Sequence, residues 1–587
     1  MLKGYRGPAL ALIGAILLLG IVIFTRPTEG PTPAVVTVPP AIPPTETPLP
    51  TLIPASPIPF QELDTATLHE AVVGCFKKMN PLLAGYNQPD LDASALIFEG
   101  LTTTNQFGEA VPDLASSIES SNDGLTYIVR LRKDIHWQDG IPFTSADVLF
   151  TLHLMQAPAF PGRTDLRHFW QTVEIESLDD FTLRFTLAQP LAAFRDYLRI
   201  GILPEHALKG TTADRLLTHP FNLSPIGTGP YQFDGLIGTS NAITGLRLRL
   251  AATYRQRPEG KDGYPLQEIV LHCVPSFNDA MAEFQRGNVN SVSNLPPDTL
   301  KQVAALTQLR PHTSYRPAFG AVIYNWQRDS VSFLRDLRMR QALAKSVDRD
   351  KLVAQYMDGR AVAADSPILP LSWAYQPGAA CPTFDPKNPD VAKNLLSQVQ
   401  VQAPVGTEAA TAAAVPPPAS PSDFSFQLSV NNDPAMAGMA QEIVKAWDGI
   451  GLKAQIVITD NKSLKERLTA GNFDAALVEL DLSPSTDPDP YSLWRQVPAD
   501  GGLNFGGMND RLTSEMLEQA RSEVNGVHRT ELYHQFQQIF CDRAVALLLY
   551  YPVYVYATDS RLAGVQLGFI SDPSDRFRSI KNWRFQQ

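Results

Sequence analysis

Three carboxylates in one proline-shaped segment, Asp481, Asp487 and Asp489 within residues 479–494 (ELDLSPSTDPDPYSLW), are the side chains of this chain best placed to do chemistry. Grouped carboxylates offer a charged acceptor to a cation that has left water. The apolar stretch before them, residues 475–478, reads as a strand, and open α/β sheets place ligands at the carboxyl ends of their strands. Asp481 ranks first and Asp487 second as ligand contacts. A solvated acidic turn shaped by Pro488 and Pro490 is the alternative. Tyr491, Trp494 and Phe505 lie close by in sequence, and Tyr324, Asn325 and Trp326 form a second group. Each aromatic either faces a ligand or fills a core.

Other chemistries find no local support. The ten histidines form no H-E-x-x-H and no H-x-H, and His528 and His534 are six apart, off a shared helical face. There is no G-x-S-x-G and no S-x-x-K, so nothing local points to a hydrolytic nucleophile. Gly227-Thr228-Gly229-Pro230 lacks the G-K-[ST] ending of a phosphate loop and reads as a turn. Cys75, Cys273, Cys381 and Cys541 contain no C-x-x-C, and outside the membrane they allow three full disulfide pairings. No catalytic residue, metal or cofactor is expected.

The elements that must position the loop follow from apolar spacing. Residues 125–137 alternate like a half-buried strand after the turn Asn122-Asp123-Gly124. Asp139-Gly140 turns the chain again, and Thr144 with Asp147 has the form of a capping box before an apolar helix. Residues 182–187 and 246–250 alternate cleanly, and 268–274 is a more continuous strand followed by a helix at 278–285. Residues 337–347 are helical by spacing. Strands at 424–430 and 454–458 flank a helix at 435–450, the order of a parallel α/β unit.

The chain has 587 residues, 44% of them hydrophobic, and a net charge of −11, which is globular in composition and weakly disfavours nucleic acid as a partner. Lys3 and Arg6 precede seventeen uncharged residues at 8–24, which read as an export signal or an uncleaved membrane anchor, with the anchor favoured because no good cleavage site follows. Residues 27–59 hold twelve prolines and form an extended tether. Beyond residue 60 the chain is too long for one core and divides into large lobes. An Ala/Pro-rich stretch at 399–422 reads as a disordered insertion.

As a string, residues 115–150 closely resemble the motif of the family 5 extracytoplasmic solute-binding proteins, the peptide- and nickel-binding receptors of ABC importers. Ala115, Asp123, Thr126, Tyr127, Val129, Leu131, Arg132, Asp134 and Ile135 fall where that family's pattern places them. Further matches occur in order: Asn80-Pro81-Leu82-Leu83, FEGLTTTN at 98–105, GTGPY at 227–231, RMRQALAKSVDR at 338–349, GNFDAAL at 471–477, DPDPYSLW at 487–494, Asn504-Phe505-Gly506-Gly507 and LLLYYPVYVY at 547–556. The resemblance implies an α/β, two-lobed fold of the class II periplasmic-binding type. Residues 60–320, with a small extra domain, and 551–587 would form lobe one, and 321–550 lobe two. It implies a monomeric receptor, not an enzyme, that captures oligopeptides or dipeptides and delivers them to an ABC permease. Asp481 or Asp487 would hold the peptide's α-ammonium, with Tyr324, Asn325 and Trp326 at the crossing between lobes. A nickel or metallophore receptor, or a secreted hydrolase or sensor on the same fold, are the alternatives. No lipoprotein cysteine follows the apolar run, a departure from the family's usual anchoring.

Overall fold

The strand Ala546–Asp559 is buried along all fourteen residues, as its near-continuous Leu, Tyr and Val content requires of a strand covered on both faces. It belongs to a computed structural model that describes residues 65–587, apart from 240–241, 297–298, 380, 400–423, 484, 497–501 and 587. The expected anchor, tether and nearly all of the insertion lie outside the described residues. Val399, at the expected start of that insertion, is instead fully buried in a core, because the helix Val391–Leu396 turns it inward.

Ala546–Asp559 changes partners midway. Its first half pairs with Ala318–Tyr324 and Ala361–Ala363, and its second half with Leu309–Tyr315 and Ser291–Val292. Pro552, which has no N–H to give a ladder, lies at the changeover, opposite Arg316-Pro317, where the neighbouring chain also crosses. The sheet around this strand has twelve strands. On one side lie Ala318–Tyr324, Ala475–Asp481, Ser425–Asn431 and Lys453–Thr459; on the other lie Ser291–Val292, Thr67–Val73, Glu268–Val274, Ala242–Leu250 and Tyr231–Thr239. The pair Ser425–Asn431 and Lys453–Thr459 is parallel and joined by the helix Pro434–Gly449, the strand–helix–strand unit read from sequence. Thr67–Val73 and Glu268–Val274 are also parallel.

Hydrophobic packing divides at the same crossing. One core joins side chains from Leu68 to Leu271 with Tyr554 to Trp583, and two others draw almost entirely on side chains between Phe319 and Tyr551. We call the two parts the first and second lobes. A four-stranded antiparallel sheet, Ala115–Ser120, Thr126–Leu131, Thr182–Leu187 and Val173–Asp179 in that order, lies on the first lobe. Its alternation buries Tyr127, Val129 and Leu131 together with Leu183, Phe185 and Leu187. The strand is shorter than the alternation suggests, because the residues after Leu131 turn back through a bridge between His136 and Pro142. Thr144 and Asp147 form the expected capping box on the helix Ser145–Gln156.

Gly227 and Gly229 are glycines for a packing reason: a Cβ on Gly227 would come within 1.8 Å of the Ile97 carbonyl oxygen, and the Gly229 N–H donates to that same oxygen at 2.8 Å. The turn reading holds, and the turn pins the helix Gln88–Ile97. Of the three disulfide pairings, the fold selects Cys75–Cys273 in the first lobe and Cys381–Cys541 in the second. Among the described residues no helix is long and apolar enough to cross a membrane.

Candidate ligand-binding cleft

Between the lobes lies a cleft of about 1670 Å³. Its first-lobe wall comes from segments distant in sequence: the helix Gln88–Ile97 with residues 98–104, the segment 191–201, and the turn of helix Pro573–Asn582. Its second-lobe wall is the loop that leaves Ala475–Asp481, continuing to Leu493. The wall at 98–102 is stitched to 198–202: the Thr102 N–H donates to the Leu198 carbonyl at 3.2 Å, and the Ile202 N–H to the Glu99 carbonyl at 3.0 Å. Gly100 permits this approach, since a Cβ there would sit 2.5 Å from the Arg199 carbonyl oxygen.

The described lining carries nine carboxylates against five guanidinium groups, so its field favours a positive charge on whatever enters. Several of the acids are spent on the protein itself. Glu99 is bidentate to the buried Arg257 at 2.8 and 3.0 Å. Asp113 is held well above the usual carboxylate range by burial, with Glu99 adding to the effect. Asp487 makes a buried pair with Arg529 at 2.6 and 2.9 Å, and Arg529 also donates to the Ala520 carbonyl and the Tyr533 hydroxyl. Asp489 meets Arg521 at 2.9 Å; burial, reinforced by the charge of Asp487, pushes its carboxyl up to about 6.

The same loop touches the opposite wall. Thr486 donates its hydroxyl to Asp196, whose carboxyl is likewise pushed up to about 6 by burial and then by Asp487. Nearby, the Ala192 N–H donates to the Arg521 carbonyl at 2.7 Å, and the Trp373 N–H reaches the Phe107 carbonyl at 3.0 Å.

Asp481 differs from its neighbours. It ends its strand opposite Ala318, is exposed, and accepts from the Ser483 N–H and hydroxyl at 2.8 and 2.7 Å. Among the described residues it has no cationic partner. Of the two carboxylates singled out by sequence, both reach the cleft, but only Asp481 is free to meet a ligand's charge.

The six aromatic and polar residues named with them do not line the cleft. Tyr324 is 1% exposed, and burial drives its hydroxyl's pKa up. Asn325 donates to the Gly471 and Phe473 carbonyls at 3.0 and 2.9 Å and accepts from the Gln327 N–H, tying the end of its strand to the Ala475–Asp481 strand's approach. Trp326 lies under the Arg340 guanidinium at 4.0 Å. Trp494 is buried edge-on against Phe540, and Phe505 packs on the same core. Tyr491 is held between Arg495 and Arg521 and donates to Glu518 at 3.1 Å. Tyr491, Trp494 and Phe505 are near the acidic loop in sequence, and Tyr324, Asn325 and Trp326 are near the crossing between lobes, but neither kind of proximity records which face of a sheet or loop a side chain occupies. The first-lobe wall was missed as a site. Its signal was present in FEGLTTTN at 98–105, but nothing local links that stretch to Arg199 or to Asp575. Among the described residues no group of three or more His, Cys, Asp or Glu could hold a metal ion.

The sequence profile of the bacterial extracellular solute-binding proteins, family 5 middle, matches residues 109–502. The chain belongs to this family. The oligopeptide-binding protein AppA of Bacillus subtilis is similar at 25% identity over 497 residues, covering 84% of this chain and 87% of AppA. The dipeptide-binding protein of Escherichia coli is 25% identical over 475 residues, 75% of this chain and 81% of that one. Among solved structures, HbpA2 from Haemophilus parasuis superposes with a TM-score of 0.73 at 19% identity, covering 89% of this chain and all of HbpA2. The fold is therefore the periplasmic-binding-protein fold. As a family 5 solute-binding protein it works outside the cytoplasm, and the wall between its lobes is where a solute would be held.

Proposed function

We propose that this family 5 protein captures oligopeptides or dipeptides in the cleft and delivers them, as a monomer, to the permease of an ABC importer. The observation that carries the reading is the acid-rich cleft between two separately packed lobes, with Asp481 an exposed carboxylate that has no cationic partner among the described residues. The peptide-binding relatives in Bacillus subtilis and Escherichia coli support the choice of solute. Asp481 pairs with the peptide's α-ammonium, because an ammonium stripped of water needs a charged acceptor. Asp487, already neutralised by Arg529, shapes the loop instead. The lobes run from 60 to 320 with 551–587, and from 321 to 550, which the exchange of strand partners at Pro552 supports. Calorimetry with di- to pentapeptides and their N-acetylated forms tests this. Free peptides should bind about a hundredfold or more tightly than acetylated ones; equal affinities would sink the ammonium mechanism.

The same reading keeps residues 1–26 as an uncleaved membrane anchor and 27–59 as its tether. The protein should fractionate with membranes and retain Met1; a soluble form whose sequence begins near residues 28–34 would end the anchoring proposal.

A further inference from the structure

Among the described residues, five guanidinium groups line the cleft, and four of them are ion-paired: Arg163 with Asp165, Arg316 with Glu479, Arg521 with Asp489 and Arg578 with Asp575. Arg199 is the fifth. Among the described residues no carboxylate lies within 4.0 Å of its side chain, and its Nε is buried without any hydrogen-bond partner. The two acids that feel its charge, Asp196 and Asp575, are committed elsewhere. Asp196 accepts from Thr486. Asp575 takes Arg578, the Ser571 hydroxyl and the N–H groups of Ser571 and Asp572.

A buried donor left unmade is costly, so it is rarely left without a purpose. Arg199 is also held still. Its segment is hydrogen-bonded on both sides to 99–102, and Gly100 lies directly against its carbonyl oxygen. The backbone that carries Arg199 is thus fixed on the cleft wall, and a guanidinium is a planar fork, the geometry that takes a carboxylate through two parallel N–H···O bonds. Its wall belongs to the first lobe, and the free carboxylate Asp481 belongs to the second.

We propose that Arg199 binds a carboxylate of the captured ligand, which is therefore a zwitterion held by its cation on the second lobe and its anion on the first. This rests on the cleft being a peptide site and adds to it the recognition of an anionic end. The carboxylate has two sources in a peptide, the C-terminus and an acidic side chain.

The test uses the immobilised full-length protein and three equimolar pools of synthetic di- to hexapeptides. One pool has free C-termini and no Asp or Glu, the second is the same pool amidated, and the third is amidated with one Asp or Glu in each peptide. Retained peptides are quantified by mass spectrometry for wild type, R199Q and R199K. Wild type should retain at least one carboxylate-bearing pool about tenfold or more above the amidated, acid-free pool. R199Q should lose that preference, and R199K, which keeps the charge, should recover part of it and so separate lost recognition from misfolding. Preference for the first pool assigns the carboxylate to the C-terminus, and for the third to a side chain. A preference unchanged in R199Q, or equal retention of all pools by wild type, overturns the role of Arg199 while leaving peptide capture standing. Retention of no pool by wild type overturns peptide capture and this inference together.

Discussion

Beneath the cleft floor in the first lobe, Arg576 is sealed from water between Glu70 and Asp92, at 2.5 and 2.7 Å, with Tyr556 donating to Glu70 and Pro573 accepting from the same arginine. In the second lobe's loop, charges only a few residues apart run from sealed to open: Asp487 is buried with Arg529, Asp489 is half-covered with Arg521, and Asp481 faces the cleft alone. The first arrangement fixes a helix, two segments of the sheet and the C-terminal turn in one register. The second fixes a loop at its far end and leaves its near end available. A charge that is fully compensated serves the fold, and one that is not can serve a ligand.

The sharpest break comes at Arg576. Replacing it with Leu strands two buried carboxylates, so the variant should lose about 3–5 kcal/mol of stability by urea unfolding. A stability loss smaller than about 1 kcal/mol would mean that Glu70 and Asp92 are relieved by solvent and that the floor is not sealed.

Next comes the contrast within the loop. Asp487→Ala leaves Arg529 buried and unpaired and should destabilise by roughly 3 kcal/mol. Asp481→Ala should change stability by less than about 0.5 kcal/mol, as exposed substitutions do, while weakening peptide binding. Thermal melting alongside calorimetry separates the two. Equal stability losses would mean that both aspartates serve the fold and that neither is free for a ligand.

The smallest effect is a pH profile. Asp196 and Asp489 both have folded-state carboxyl pKa values of about 6, above the ordinary 3.8. A raised carboxyl binds its proton more tightly in the folded chain, so its burial is a liability above pH 6 that is relieved as pH falls from about 6 towards 4. Asp196→Asn should therefore melt higher than wild type at pH 7–8, and the gap should close by about pH 4. A gap independent of pH would mean that Asp196 stays ionised when buried against Thr486.

Much of the fold was legible locally. The alternation at 182–187 and the more continuous apolar run at 268–274 became strands with those bounds, and Thr144 with Asp147 caps the helix after them in sequence as expected, because pleat period, apolar runs and capping depend on residues a few positions apart. The acidic loop was legible too, since a strand's carboxyl end and a run of Asp and Pro are adjacent in the chain. What the string could not carry were the contacts between distant segments. It left three disulfide pairings open, and only the parallel pairing of Thr67–Val73 with Glu268–Val274 brings Cys75 to Cys273. It could not tell that Arg529, 42 residues on, neutralises Asp487 and leaves Asp481 bare. It gave no sign that Arg199 would line the cleft without an ion-pair partner among the described residues. Periodicity and turn chemistry are set by neighbours in sequence, whereas compensation of a buried charge is set by whatever the completed fold brings within about 4 Å.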